Sequence, residues 1–306
     1  MSRVLLPELV KASSDMIEYV RAKRSIIDEE ARKIAINPRD LELQVLLHLP
    51  RLMHGNSHAA PEDFTEEVKR LASVMNNRVN PYEDWRTSPG IELTNPHETT
   101  FVEVREEVAC IIQKRFHYLS SVRLNSFSFG LETHDHRLAS LITLSPFDLN
   151  YMHPYLPDGV EPSNVLVVSR VFCFDWAPWN AVSYMMGQMY KRLRCTRPDV
   201  KMLLTYINPN LAFKAASLRA SNWVLFGYEK ETRYAYLDKA YITDRQLVRQ
   251  YQTADPYVLY NRLGDRFEAS TLRGVQLDPL QLYAYFLDKD LYTRYSYGFE
   301  YVFRRP

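Results

Sequence analysis

The stretch from Val167 to Leu193, VVSRVFCFDWAPWNAVSYMMGQMYKRL, restricts the possible folds of this chain more than any other segment. It begins as an apolar strand, breaks at DWAPWN and continues as a helix. The apolar residues of that helix recur at helical spacing, at Val182, Met185, Met186, Met189 and Leu193. A second apolar strand runs from Lys201 to Ile207. This strand, helix, strand order predicts a parallel pair at the centre of a mixed α/β sheet.

The flanking sequence predicts helices and a hairpin around that pair. Residues 1 to about 80 show helical spacing, with start signals at NPRD and PED, and the Pro- and Asn-rich loop of residues 77–100 predicts a linker. One helix is expected, with an apolar face that runs from Phe101 to Phe116 and an end at His117 and Tyr118, followed by a hairpin across HDHR. Two strands are expected around VLFGYEKETRYAYLD, and RQLVRQYQTADPYVLYNRLGDRF and LDPLQLYAYFLDKDL read as helical.

These patterns predict three regions along the chain. Residues 1–95 form a helical N-terminal region, residues 96–240 a mixed α/β core, and residues 241–306 a helical, Tyr-rich C-terminal extension. Six of the last 24 residues are Tyr, and a tail this aromatic is expected to pack.

Composition argues against several classes of protein. No run of 18 apolar residues and no secretory leader is apparent, so we expect a cytoplasmic protein. Three cysteines without a CxxC pair predict neither a disulfide framework nor a structural zinc site. His134 and His136 have a metal-ligand spacing, but no third ligand is indicated nearby, and we interpret them as turn residues.

Arg170 lies among the apolar residues of the first strand. Strict alternation places it on the face of Leu166, Val168 and Phe172. A buried guanidinium requires a partner. Arg170 is therefore either a member of a core ion pair or a clamp for an anion or substrate.

The turn after this strand predicts a site for a phosphorylated cofactor. Asn180 is the expected N-cap of the following helix, and amides of a first helical turn bind diphosphates. The residues assigned to this cradle are Ala177, Trp179, Asn180, Ala181 and Ser183. TYINPN ends the neighbouring strand and is expected to place Asn208 beside the same crevice.

His117 and Tyr118 could act as acid, base or cofactor contact at the end of their helix. A histidine at a helix end also commonly caps the helix, and both interpretations stay open.

Positive charge collects in one part of the chain. Residues 180–250 contain 12 Lys/Arg against five acidic residues, whereas the whole chain carries only +1. Such a segment favours a polyanion as partner. The candidate DNA-binding residues are Lys191, Arg192, Arg194, Lys214, Arg219, Arg245 and Arg249.

From about His97 to Asp238, the order of elements resembles the GCN5-related N-acetyltransferase fold, although the usual glycine-rich cofactor loop is absent. Within that fold, FHYL, SRVFCFDWAPWNAVSY, TYINP and SLRASNW are similar to the Mom family of phage DNA-modification proteins.

The resemblance implies modification of the exocyclic amine of adenine in DNA with a carbamoylmethyl-type group and an acetyl-CoA or related acyl-CoA donor. It assigns catalytic roles to His117, Tyr118, Arg170, Ser183 and the position of Asn208. Family members commonly have Asp at that last position, and Asn cannot act as a base. Two alternatives remain: an acetyl-CoA-dependent N-acetyltransferase acting on a small amine or protein, and a non-catalytic DNA-binding protein of the same fold.

Overall fold

The computed structural model describes residues 11–53, 59–88, 94–148, 150–230, 232–296 and 301–304. The chain forms two compact units. The first unit combines residues 1–77, 208–213 and 230–280, and the second combines residues 78–207, 214–229 and 281–306. The division into regions at residues 95 and 240 stays a prediction.

An eight-stranded mixed sheet in the order β1-β2-β3-β4-β5-β10-β6-β11 is the centre of the second unit. Its strands are β1 (Thr100–Val104), β2 (Phe127–Glu132), β3 (Leu138–Pro146), β4 (Val165–Cys173), β5 (Met202–Ile207), β6 (Val224–Lys230), β10 (Leu280–Phe286) and β11 (Tyr301–Arg304). β4 and β5 run parallel, whereas β1, β2, β3 and β4 pair antiparallel in sequence. The predicted mixed α/β class and its central parallel pair are confirmed.

Helices cover this sheet because each of its faces is largely apolar. The helices of the second unit are α5 (Glu83–Arg86), α6 (Glu106–Arg115), α7 (Ala181–Thr196), α8 (Ala216–Ala220) and α11 (Lys289–Tyr295). The predicted stripe of α7 is confirmed: Met185, Met186, Met189 and Leu193 are buried with Leu166 and Val168 in one core cluster. A separate cluster joins Val165 and Val167 to Leu204 and Phe226.

Two secondary-structure predictions for this unit were wrong. Residues 100–104 form strand β1, paired with β2, and only residues 106–115 are helical. LDPLQLYAYFLDKDL contains strand β10, which inserts between β5 and β6. Both faces of β10 are buried, so its nearly continuous apolar run has no period that separates strand from helix. The two strands expected around VLFGYEKETRYAYLD are both present, at Val224–Lys230 and Ala235–Leu237, and they belong to different sheets.

The first unit consists of helices and a small sheet. Its helices are α1 (Lys11–Ala22), α2 (Arg24–Lys33), α3 (Pro38–His48), α4 (Pro61–Val79), α9 (Asp244–Tyr251) and α10 (Pro256–Leu263). Strands β7 (Ala235–Leu237), β8 (Ala240–Ile242) and β9 (Phe267–Ala269) form a sheet in the order β8-β7-β9. The predicted start of α3 is confirmed because the Asn37 side chain accepts from Arg39 N. The predicted helical stretch that begins before residue 11 lies partly outside the described residues.

Within the described segments, no helix is long and apolar enough to cross a lipid bilayer. His134 and His136 occupy the turn between β2 and β3, as predicted, and no group of three or more potential metal-ligating side chains occurs in the parts of the chain that the structure describes.

Candidate active site

A β-bulge in β4 separates the two parallel strands. Arg170 pairs with Thr143 and Val168 pairs with Leu144, so Ser169 is the extra residue on β4. β4 pairs with β5 only from Val165 to Val167, although both strands continue beyond that point. A bulge bends its strand and re-aims the side chains that follow. The carboxyl ends of the two strands therefore diverge.

The bulge also changes the face on which Arg170 lies. Val171 and Cys173, rather than Phe172, continue the core cluster of Leu166 and Val168. Strict alternation had placed Arg170 on the face of Leu166 and Val168. That prediction was wrong because the inserted residue Ser169 reverses the faces to which all later side chains of β4 point. Arg170 lies on the opposite face together with Phe172.

The Arg170 guanidinium is held by oxygen acceptors. Its Nη2 donates to Ser121 Oγ at 2.9 Å and to Ser121 O at 3.3 Å, and its Nη1 donates to Ser169 O at 2.6 Å. These bonds tie β4 to the segment that follows α6. The residue is half-buried, and these hydrogen bonds fix the orientation of the guanidinium.

His117 and Tyr118 follow α6 and stack on each other, with ring centroids 4.5 Å apart. His117 is buried, and Leu119 N donates to its Nδ1 at 3.2 Å. Burial lowers the His117 pKa well below 6.5, and the nearby Arg170 and Arg78 cations lower it further. The ring is thus neutral at pH 7, and with Nδ1 accepting a bond its proton resides on Nε2.

Tyr118 also keeps its proton. Burial of the phenol raises its pKa above 10.0, and the Arg170 cation offsets only part of that effect. His117 and Tyr118 are therefore both hydrogen-bond donors at neutral pH, and neither is a strong base. Of the roles left open by the sequence, this environment favours donor or acid.

An aromatic wall, defined here as Trp85, Phe116, Phe172, Phe174 and Trp176, adjoins these residues. Phe116, which immediately precedes His117, lies 5.1 Å from Phe174 and 6.1 Å from Phe172 between ring centroids. Trp85 stacks on Phe116 at 6.1 Å, and Trp176 Nε1 donates to Trp85 O at 3.0 Å. Phe172, Trp85 and Trp176 are only half-buried, so the wall presents ring surface next to polar groups.

The start of α7 differs from the predicted cap. Asn180 occupies the N-cap position, but its backbone is left-handed at φ 63° and its side chain makes no capping bond. The Asn180 side chain thus does not cap the first-turn amides of α7. An anion site at a helix N-terminus requires such uncapped amides. Ser183 is half-buried in that turn, Ala177 is half-buried before it, and Trp179 is 82% exposed. Ala181 is a core residue whose amide donates to Pro178 O.

Asn208 belongs to the first unit and has a local structural role there. Its Oδ1 accepts from Asn210 N at 3.1 Å and from Asn210 Nδ2 at 2.9 Å, and its Nδ2 donates to Tyr234 Oη at 2.9 Å. The side chain caps the 3-10 turn Pro209–Leu211. Its catalytic role and its place beside the crevice stay predictions.

We expect Asn208→Ala to lower the free energy of unfolding by about 1–2 kcal/mol, because it removes a cap and a side-chain hydrogen bond. Asn208→Asp keeps the oxygen that accepts from Asn210 N, and Tyr234 can donate to the second carboxylate oxygen, so it should cost less. Urea unfolding of both variants measures the difference. Equal losses would contradict this account of the cap.

The candidate DNA-binding residues are all exposed. Lys191, Arg192, Arg194, Lys214 and Arg219 belong to the second unit, and Arg245 and Arg249 belong to the first. The Arg194 side chain already makes a hydrogen bond within the protein, because its Nε donates to Leu287 O at 3.4 Å. Their contact with DNA stays a prediction.

A cavity of about 440 Å³ lies elsewhere in the second unit, beside the first turns of α6. None of the predicted site residues lines it. Charges of both signs surround it, from Glu103, Arg105, Glu106 and Arg123.

Sequence reasoning missed Ser121, Arg78 and the aromatic wall. Arg78 contributes to the field at His117 and donates to Ser120 Oγ. The contact between Arg170 and Ser121 joins residues 49 positions apart, which no local pattern predicts. The spacing of aromatic residues in FCFDW was an available signal for the wall.

The fold is that of a mixed α/β protein, with a polar, arginine-containing candidate site near the point where the pairing of two parallel strands ends. The Mom protein family model matches residues 98–300, and the chain belongs to that family.

Solved structures that match the chain include N-acetyltransferases, the fold family that the sequence resembles. Spermidine N-acetyltransferase from Vibrio cholerae, in complex with CoA and spermine, matches at 7% identity and a TM-score of 0.36, covering 64% of this chain and 99% of that chain. Nourseothricin acetyltransferase matches at 12% identity and a TM-score of 0.29, covering 54% and 67%. Both TM-scores are low, so the assignment rests on the family match. Among curated proteins no significant match was found.

Proposed function

We propose that the protein is an acyltransferase-like enzyme that modifies the exocyclic amine of adenine in DNA with a carbamoylmethyl-type group, using an acyl-CoA-related donor. Membership of the Mom family supports the reaction class. One observation carries the proposal: the Arg170 cation lies close enough to lower the pKa of the neutral His117, which follows Phe116 of the aromatic wall, and Arg170 lies on β4 beyond the residues that pair with β5.

The donor would bind at the start of α7. Uncapped first-turn amides and the Ser183 hydroxyl suit a diphosphate, since a helix N-terminus carries partial positive charge. When bound, the donor supplies an activated carbon attached to a thiol leaving group. Trp179, exposed at the same turn, offers an apolar surface to the rest of such a molecule.

The aromatic wall would hold the base. Enzymes that modify a base in DNA extrude it from the stack and bind it against aromatic side chains. Phe172 is two residues from Arg170 on the same strand. A base stacked on Phe172 would therefore lie next to the hydrogen-bond donors of the Arg170 side chain.

The chain's own residues then perform the transfer. The exocyclic nitrogen bonds to the thioester carbonyl carbon of the donor and releases a proton to solvent, while the bond from that carbon to the leaving sulfur breaks. The immediate product is an N-acyl adenine; a carbamoylmethyl product, in which the nitrogen is bonded to a CH2 carbon, requires a later isomerisation of an aminoacetyl adduct. Arg170 and His117 Nε2–H donate to the oxygen on which negative charge develops. Tyr118, kept protonated by its raised pKa, gives a proton to the leaving sulfur.

Mass spectrometry of nucleosides from the DNA of cells that express the protein tests this proposal. A new adenosine species that is absent from cells carrying a His117→Ala variant supports it, and its mass identifies the transferred group. Two results contradict it: turnover of acetyl-CoA on a small amine or protein with unmodified DNA, or DNA binding without any modified nucleoside.

A further inference from the structure

A small module in the first unit has an outer surface that the proposed chemistry does not use. Strands β7, β8 and β9 and helices α9 and α10 enclose a core of Ala235, Leu247, Leu259, Phe267 and Ala269. Leu247 and Leu259 are the inward-facing apolar residues of the two helices. Their other faces are left to solvent.

The exposed sides of these two helices carry several large apolar side chains. Val248 is 47% exposed, Tyr257 71%, Val258 38% and Tyr260 47%. These are four of the ten large apolar side chains found exposed among the described residues, and they fall within two short helices. Scattered exposure is ordinary, whereas a cluster of this kind marks an interaction surface.

Three arginines lie on the same two helices. Arg245 and Arg249 on α9 and Arg262 on α10 are exposed. Within the described chain, no carboxylate forms an ion pair with Arg249 or Arg262. Two of the nearby acids are engaged, because Asp244 pairs with Arg233 and Asp255 accepts from Tyr257 N and Val258 N, whereas Asp265 is exposed.

We propose that this face, called here the α9–α10 face, binds unpaired DNA, with Tyr257 and Tyr260 stacking on bases and Arg249 and Arg262 contacting phosphates. The inference rests on the proposed function, in which DNA is the substrate. Exposed arginines that no carboxylate neutralises favour a polyanion. Exposed tyrosine rings require a partner that offers flat surfaces, and bases in single strands offer them whereas bases in a duplex do not.

Binding of the full chain to a labelled oligothymidylate of about 16 nucleotides, measured by fluorescence anisotropy, tests this proposal. Tyr257→Ala/Tyr260→Ala should weaken binding at least about tenfold, because each stack on a base contributes about 1–3 kcal/mol. Tyr257→Phe/Tyr260→Phe keeps the rings and should retain the affinity. Tyr292→Ala, which removes an exposed tyrosine from α11 in the second unit, should change nothing.

The salt dependence of binding separates the contribution of the arginines from that of the tyrosines. Arg249→Gln/Arg262→Gln should reduce the slope of log affinity against log salt by about 0.7 for each phosphate that the variant no longer neutralises, whereas the Tyr→Ala pair should leave the slope unchanged.

Equal affinity for an abasic strand of the same length, or an unchanged affinity in the Tyr→Ala pair, would overturn the proposal. So would the absence of any single-strand binding, which would instead favour a protein partner for this face. Nucleoside analysis is a separate readout. If DNA is modified but binding ignores the tyrosines, only this inference fails; if binding needs the tyrosines but no nucleoside changes, only the proposed function fails.

Discussion

Arg170→Ala is expected to lower the rate of adenine modification by about 10²- to 10³-fold while the protein remains folded. The guanidinium is expected to stabilise charge that develops during transfer. Its bonds to Ser121 and Ser169 also hold β4 to the segment after α6, so the free energy of unfolding should fall by about 1–2 kcal/mol. Nucleoside mass spectrometry and thermal melting measure the two effects.

Two further variants make the result specific. Arg170→Lys keeps the charge but loses the planar fork that reaches both Ser121 and Ser169, so activity should stay low. Arg123→Ala removes an arginine of the same unit that pairs with Asp148, and it should cost stability without losing activity. An active Arg170→Ala protein, or one that does not fold, would disprove a role for Arg170 in binding the reacting group.

His117→Ala should reduce modification by about 10²- to 10³-fold through loss of an oriented donor. His117→Gln offers an amide N–H in a similar place and should recover part of the rate. His134→Ala, which changes an exposed histidine in the turn between β2 and β3, should leave the rate unaltered.

The dependence on pH separates a donor from a base. Because the His117 pKa lies well below 6.5, the ring stays neutral through the physiological range, and the rate should not fall from this cause until the pH is well below 6.5. A decline centred near 6.5 that disappears in His117→Gln would contradict the donor role. NMR titration adds a direct measurement: removing the Arg170 cation should raise the His117 pKa.

The same depressed pKa links folding to pH. The unfolded chain protonates His117 near 6.5, whereas the folded chain resists protonation. The stability contributed by the neutral ring is therefore fully present above about pH 6.5 and is lost as the pH falls toward the folded-state pKa.

The periodicity of apolar residues was sufficient to predict those parts of the fold in which the local sequence pattern and the tertiary packing favour the same structure. The stripe of α7, the parallel pair of β4 and β5, and the cap at Asn37 all follow from neighbouring residues. The bulge at Ser169 does not, because it exists only in the pairing with β3. That single residue decides the face of Arg170, which is why strict alternation assigned Arg170 to the wrong face.

The candidate site shows the same limit. His117, Tyr118 and Arg170 were found through motifs and an unexpected charge among apolar residues. Their protonation states depend on burial and on Arg78, which is 39 positions before His117 in the chain and carries no local signature. The role of His117 as a donor in place of a base could be inferred only when Leu119 N was seen to occupy Nδ1.

The insertion of β10 between β5 and β6 has a consequence for synthesis on the ribosome. β5 and β6 are synthesised early, but the strand that lies between them is synthesised about 50 residues later, after the whole module that contains α9 and α10. Until residues 281–286 appear, one edge of β5 has no neighbour and its apolar face is incompletely covered. Unpaired edges are templates for aggregation. Completion of the sheet is thus a late, long-range step, and a nascent chain stalled before β10 would depend on chaperones to stay soluble.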